Sequence, residues 1–123
     1  VHLATHLRTR GHEAVVEPVT TWGAMATGVA RRVAAGEFDH GIVCCWTGTG
    51  ASIAANKVEG VRAALCVDAV TAAGARKWND ANVLALSLRS TTPTVGLEIL
   101  DVFLRTKASA ENADRAEIAK LDS

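Results

Sequence analysis

The chain has 123 residues, of which 49% are apolar, and its 13 basic and 13 acidic residues leave a formal net charge of zero. That length suits one domain with a buried core, the scattered basic residues argue against a nucleic-acid surface, and apolar runs of strand length argue against a transmembrane helix. Three cysteines with no CxxC spacing and no neighbouring histidine ligands argue against structural zinc, and without a signal peptide in view they point to a reducing cytoplasm.

His2 to Arg10 reads as an amphipathic helix stopped by Gly11. Glu13 to Val19 is a short β-type run. Thr21 to Ala35 has apolar residues at helical spacing and stops at Gly36. His40 to Trp46 is a continuous apolar strand. Ser52 opens a helix through Lys57 that ends near Gly60. Val61 to Val67 reads as a strand, Ala69 to Trp78 as an alanine-rich helix and Val83 to Leu88 as a strand. Thr92-Pro93 starts a helix over Thr94 to Lys107, and a more polar helix covers Ala108 to Leu121.

The strands at 40–46, 61–67 and 83–88 are apolar throughout, as parallel strands covered on both faces are. Residues 1–123 therefore read as one α/β domain: a doubly wound, Rossmann-like parallel sheet in three α/β/α layers. The chain opens on Val1 and a helix, whereas such domains more usually open on a strand, so a first strand missing from this chain is part of the expectation. Ligands of such sheets bind at the carboxyl ends of the strands, here Trp46-Thr47, Val67-Asp68 and Leu88-Arg89.

The run Cys44-Cys45-Trp46-Thr47-Gly48-Thr49-Gly50-Ala51-Ser52 lies at the first of these ends. Gly48 and Gly50 let backbone N–H groups converge, and the helix opening near Ser52 adds its own free N–H groups and dipole. The result is a socket for negative charge with a cysteine at its lip. A thiolate there can move a proton between adjacent carbons while the loop stabilises an enediolate. Alternation puts Cys44 and Cys45 on opposite faces of the strand. Cys45 is the candidate base, and Cys44 and Cys66 read as core residues.

Other residues admit two readings. Gly48-x-Gly50-x-x-Ile53, with Asp68 twenty residues after Gly48, hints at a dinucleotide site, but the third glycine is Ile53 and Trp46 crowds a pyrophosphate. Arg89, beyond its strand, suits a phosphate or is a solvated surface residue. Arg115, among Glu111, Asp114 and Glu117, reads as an ion-paired surface residue. Asn79-Asp80-Ala81-Asn82 is a cap and turn, or carries an amide that meets substrate hydroxyls. Trp46 and Trp78 are expected at one rim, where they would shape a pocket. His2, His6, His12 and His40 lie away from the carboxyl strand ends, so no catalytic histidine is assigned.

Gly41-Ile-Val-Cys-Cys45, Thr47-Gly48-Thr49-Gly50, Ser52-Ile-Ala-Ala-Asn-Lys57, Val61-Arg-Ala-Ala-Leu-Cys66 and Asn79-Asp-Ala-Asn-Val-Leu-Ala-Leu86 together resemble the ribose-5-phosphate isomerase B / galactose-6-phosphate isomerase family. The resemblance runs from the first helix to about Arg115. It implies metal-free aldose–ketose isomerisation of a phosphorylated sugar, no cofactor, and a homodimer or dimer of dimers with sites at the subunit interface. By this resemblance Cys45 is the catalytic base, Thr47 to Gly50 form the anion hole, Asn79 contacts substrate, and Arg89 and Arg115 bind phosphate. The chain departs from the family where Trp46 replaces a loop glycine, Trp78 replaces a ring-opening histidine, and Glu111-Asn112 replaces an Arg-His pair. The family's N-terminal strand, with its Asp-His substrate contacts, is absent from the chain. A tetrose 4-phosphate cannot close a furanose ring, so it needs no ring-opening acid, and the tryptophans would shrink the pocket. A sugar phosphate other than ribose 5-phosphate is therefore expected. A non-catalytic sugar-phosphate-binding or partner subunit, and a nucleotide-binding module, are the rival readings.

Overall fold

The computed structural model describes residues 2–18 and 20–122. In chain order the elements are α1 (His2–Thr9), α2 (Trp22–Ala34), β1 (Gly41–Cys45), α3 (Thr49–Asn56), β2 (Ala63–Leu65), α4 (Ala69–Asn79), β3 (Val83–Ser87), α5 (Pro93–Arg105) and α6 (Asn112–Leu121). The strands are parallel in the order β1-β3-β2, with Val83 opposite Gly41 on one side and Ala63 on the other. All five residues of β3 are buried, as its central place demands. β1 is an edge strand, and among the described residues no strand pairs with its outer side.

Side-chain alternation divides the apolar residues between two layers. Val43, Val83 and Ala85 meet Ala26, Ala30 and Val33 of α2 and Ala51 and Ala55 of α3. Leu84, Leu86 and Cys66 meet Ala72 and Ala75 of α4 and Ile99, Leu100 and Phe103 of α5. The fully buried alanines let α2 and α3 approach the sheet closely. This is the expected three-layer α/β/α arrangement. β1 leads into α3 on one face, whereas its neighbour β3 leads into α5 on the other. The crevice between their carboxyl ends is thus a topological switch point.

Local chemistry fixes the helix starts. Thr21 caps α2 by accepting from the Ala24 N–H at 3.2 Å, and Asp68 caps α4 by accepting from Thr71 at 2.7 Å. Hydrogen bonds donated by Thr71, from its side chain first and its backbone second, hold the Asp68 carboxyl below the usual range. Thr92 caps α5, with Pro93 in its first turn.

Several boundaries differ from the sequence-based expectation, four of them instructively. Residues 13–18 form no strand, and Val19 lies outside the described residues. This segment is tied by side chains instead: the Arg8 guanidinium donates to the Ala14 carbonyl, and Arg32 pairs with Glu17 and Glu37. Helix α3 begins at Thr49 rather than Ser52. β2 is confined to Ala63–Leu65 because the Arg62 N–H is taken by the Asn82 side chain at 2.7 Å. α6 begins at Asn112 rather than Ala108, since the Ser109 hydroxyl caps a preceding turn by accepting from the Glu111 N–H at 3.1 Å. Among the described residues, no helix is long and apolar enough to cross a membrane.

Candidate active site

The carboxyl end of β1 carries Cys45, half-buried on the face that packs against α2 and α3. Cys44 points into the opposite layer. Burial pushes the Cys44 thiol up, and burial followed by the nearby Asp68 charge pushes Cys66 up to about 11. Neither of these two supplies a thiolate near neutral pH.

After Cys45 the chain turns through Trp46 and Thr47 to Gly48, the residue that caps α3 with φ +80° and ψ −16°. A side chain there would be excluded twice. It would need the left-handed region, and its Cβ would stand 2.5 Å from Leu65 Cδ1 and 3.1 Å from both the carbonyl carbon and oxygen of Leu86. The first helical hydrogen bond runs from the Ser52 N–H to the Gly48 carbonyl at 3.1 Å. The N–H groups of Thr49, Gly50 and Ala51 precede that bond and point out of the helix start. The Thr47 and Thr49 hydroxyls are paired at 2.8 Å across this opening.

The next loop is locked to the first. The Leu88 N–H donates to the Cys45 carbonyl at 3.0 Å and the Arg89 N–H to the Trp46 carbonyl at 2.8 Å. The Ser87 hydroxyl, buried at the end of β3, also donates to the Trp46 carbonyl at 3.0 Å. Exposed Arg89 is thereby anchored through its backbone beside the Cys45 loop, so Cys45, Trp46, Thr47, Gly48, Thr49, Gly50, Ser52 and Arg89 share one edge of the sheet.

Trp22, the first residue of α2, also stands at this edge, and sequence reasoning missed it. Its indole covers Gly50 so closely that a Cβ there would lie 2.7 Å from the ring. Trp22 is 57% exposed and Trp46 67% exposed, so two indoles with open faces flank the loop. No local pattern links Trp22 to a glycine 28 positions later; only the packing of α2 against α3 does.

Trp78, Asn79 and Arg115 are elsewhere, which corrects the expectation that Trp46 and Trp78 share a rim. α4 runs back from the carboxyl end of β2, so its last residues, Trp78 and Asn79, lie at the amino edge of the sheet. Trp78 folds along its own helix, its ring 3.0 Å from where a Gly74 Cβ would be, with the Lys77 ammonium 5.5 Å from the ring centroid. Asn79 is exposed at the end of α4. Arg115 of α6 reaches the same edge, 3.6 Å from Asp80 Oδ2. A strand the length of β3 separates the two edges by roughly 15 Å. Asp80 and Asn82 fulfil the cap-and-turn reading, since the Asn82 amide binds the Gly60 carbonyl and the Arg62 N–H. Among the described residues, no group of His, Cys, Asp or Glu is placed to hold a metal ion.

Residues 2–121 match the family described as Ribose/Galactose Isomerase. The chain is 42% identical over 104 residues to the ribose-5-phosphate isomerase B of Escherichia coli, covering 79% of this chain and 66% of that one. It is 43% identical over 76 residues to the D-erythrulose-4-phosphate isomerase of Pectobacterium atrosepticum, covering 62% of this chain and 50% of that one. The solved type B ribose 5-phosphate isomerase of Trypanosoma brucei superposes with a TM-score of 0.92 at 42% identity, covering 98% of this chain and 86% of that one. The chain spans about half the length of several curated relatives that it matches. A match across both sheet edges and nearly every element, joined to the same fold, means that this chain belongs to the Ribose/Galactose Isomerase family.

Proposed function

We propose that this protein interconverts an aldose phosphate and its ketose through an enediolate, with Cys45 as the base. The observation that carries this reading is the setting of Cys45 at the end of β1, beside the unpaired N–H groups of Thr49, Gly50 and Ala51. The Cys45 thiolate removes the proton from the carbon next to the carbonyl and returns it to the neighbouring carbon. The helix-start N–H groups hold the oxyanion where charge develops, a contribution of several kcal/mol when such donors are fixed in advance. Thr47, oriented by Thr49, exchanges the proton between the two enediolate oxygens.

Arg89 and Arg115 bind the phosphate, Asn79 meets the sugar hydroxyls, and Trp46, Ser52 and Trp78 line the pocket. Because Asn79, Trp78 and Arg115 occupy the edge opposite Cys45 in one chain, the complete site is built between two copies, each giving one edge. This supports a homodimer or dimer of dimers, working in the cytoplasm without a cofactor.

The substrate is a four-carbon or other non-ribose sugar phosphate. Trp78 cannot donate the proton that opens a furanose ring, a role worth ~10²–10⁴-fold, and a tetrose 4-phosphate has no such ring to open. Trp22 and Trp46 narrow the mouth on the other edge. The relationship to an erythrulose-4-phosphate isomerase supports the same choice. A second reading, a sugar-phosphate-binding subunit completed by an unlike relative, is favoured by the same division of the site between two edges.

NMR in D₂O separates these readings. Deuterium entering beside the carbonyl, faster with four-carbon phosphates than with ribose 5-phosphate, is the expected result. Cys45→Ser should lower exchange at least ~10²-fold while leaving phosphate affinity nearly unchanged. Near wild-type exchange in Cys45→Ser would overturn the assignment of the base. Binding without exchange in the unaltered protein would favour the partner subunit.

A further inference from the structure

Asp80 is, among the described residues, the one non-glycine residue with a positive φ, at +47° and ψ 44°. The turn is closed by the Asp80 N–H on the Arg76 carbonyl at 3.1 Å and the Ala81 N–H on the Ala75 carbonyl at 3.0 Å. It sets the Asp80 carboxylate among three guanidinium groups. Oδ1 accepts from Arg76 at 3.1 Å, while Oδ2 lies 3.6 Å from Arg62 and 3.6 Å from Arg115.

Two of these arginines are already committed. Arg62 donates to the carbonyls of Asp80 and Gly60 and to both carboxylate oxygens of Asp122. Arg76 donates to the carbonyls of Thr106 and Ala81 and lies 5.6 Å over the Phe103 ring. Arg115 differs. Its side chain is 49% exposed, and one of its guanidinium nitrogens contacts a single carboxylate oxygen of Asp80 at 3.6 Å, so donors of its five N–H groups remain for a ligand. Three arginines against Asp80 and Asp122 leave a surplus of one positive charge, and Arg115 is the arginine that presents it.

We infer that Asp80 is a positioning residue for Arg115. It holds the guanidinium at the amino edge of the sheet, aimed at the phosphate of a substrate whose reacting carbons lie in the β1–α3 loop of a second copy. This inference rests on the isomerase reading, which makes Arg115 a phosphate ligand. Because Arg76 and Arg62 already balance the charges of Asp80 and Asp122, the Asp80 carboxylate orients Arg115 rather than cancelling it. From this left-handed turn the Asp80 carboxylate is in contact with Arg115 of α6.

The test is a double-mutant cycle in the full chain with Asp80→Asn, Arg115→Ala and the pair. Asparagine tolerates a positive φ, so Asp80→Asn removes the charge and keeps the turn. Two readouts are taken: kcat and KM with a four-carbon sugar phosphate, and titration with inorganic phosphate. Asp80→Asn should raise KM and the phosphate Kd about three- to tenfold, as expected when a charge-assisted fork loses its aim. Its kcat should stay within about twofold, since no transition-state contact is lost. In the Arg115→Ala background, Asp80→Asn should add nothing. Equal losses in both backgrounds would mean a merely structural role and overturn the inference, and tighter phosphate binding in Asp80→Asn would mean that Asp80 competes for Arg115. Phosphate binding indifferent to both substitutions would overturn the inference while turnover stands. Absence of turnover with the coupled loss of phosphate binding intact would instead overturn the isomerase reading and leave the role of Asp80 in place.

Discussion

Gly48→Ala tests whether the loop proposed to hold the oxyanion is rigid by construction. Two costs add. A residue with a Cβ pays ~1–2 kcal/mol to adopt the left-handed conformation that Gly48 holds at φ +80°. The added methyl group then meets Leu65 Cδ1 at 2.5 Å, which a rotamer change can relieve, and the Leu86 carbonyl group at 3.1 Å, which is part of the central strand and cannot move aside. Overpacking of this kind costs ~1–3 kcal/mol, so the total is about 2–5 kcal/mol. For a domain of this size the melting temperature should fall by roughly 6–20 °C. Gly28→Ala is the matched control: it lies inside α2, and nothing stands within 4 Å of its added Cβ. Removing a helical glycine there should stabilise by ~0.5–1 kcal/mol. Thermal unfolding followed by circular dichroism measures both. A Gly48→Ala protein melting within about 2 °C of the unaltered one would refute the argument from loop rigidity.

Gly50→Ala should behave differently, because the atoms nearest its Cβ would belong to the Trp22 ring, the first at 2.7 Å, and a side chain on the surface can swing away. The melting temperature should shift by less than about 3 °C while turnover of a sugar phosphate falls; destabilisation as large as that of Gly48→Ala would contradict it. Burial, followed by the Arg76 charge, lowers the His40 pKa below its ordinary 6.5, so the folded protein favours the neutral ring. The unfolded chain therefore takes up a proton first, and stability is lost as pH falls from 6.5 towards the lower folded value. Urea midpoints should drop between pH 7.5 and 5.5 and drop less in His40→Gln, whereas the Asp68 carboxyl, with an ordinary value of 3.8 held still lower, acts only in stronger acid.

Much of the fold was legible because its strands carry a signal that does not depend on distant residues. β3 is apolar at every position and buried at every position, and β1 divides its side chains between two layers as alternation requires. What escaped was decided by contacts far apart in sequence. Ser52 has the chemistry of a helix cap, but Gly48 in the left-handed region starts α3 three residues earlier than Ser52 itself. Residues 13–18 have strand composition, yet Arg8 and Arg32 supply side-chain partners in place of a ladder. Cys45, the glycine loop and Arg89 lie side by side because they follow neighbouring strands, a juxtaposition that strand order alone makes readable. Trp78 was misplaced because closeness to a strand in sequence does not say which end of that strand, and the return direction of α4 settles it.

The roughly 15 Å between the two edges makes the proposed catalyst a sensor of its own concentration. Specific activity per chain should fall on dilution below the dissociation constant of the pair, with no loss of folded structure. Two inactive variants damaged at opposite edges, Cys45→Ser and Asn79→Ala, would rescue each other on mixing. Random exchange gives hybrids in half of the pairs, and each hybrid has one site with both defects and one with none, so about a quarter of all sites regain function. A recessive lesion at one edge could thus be masked in a cell that also carries a lesion at the other.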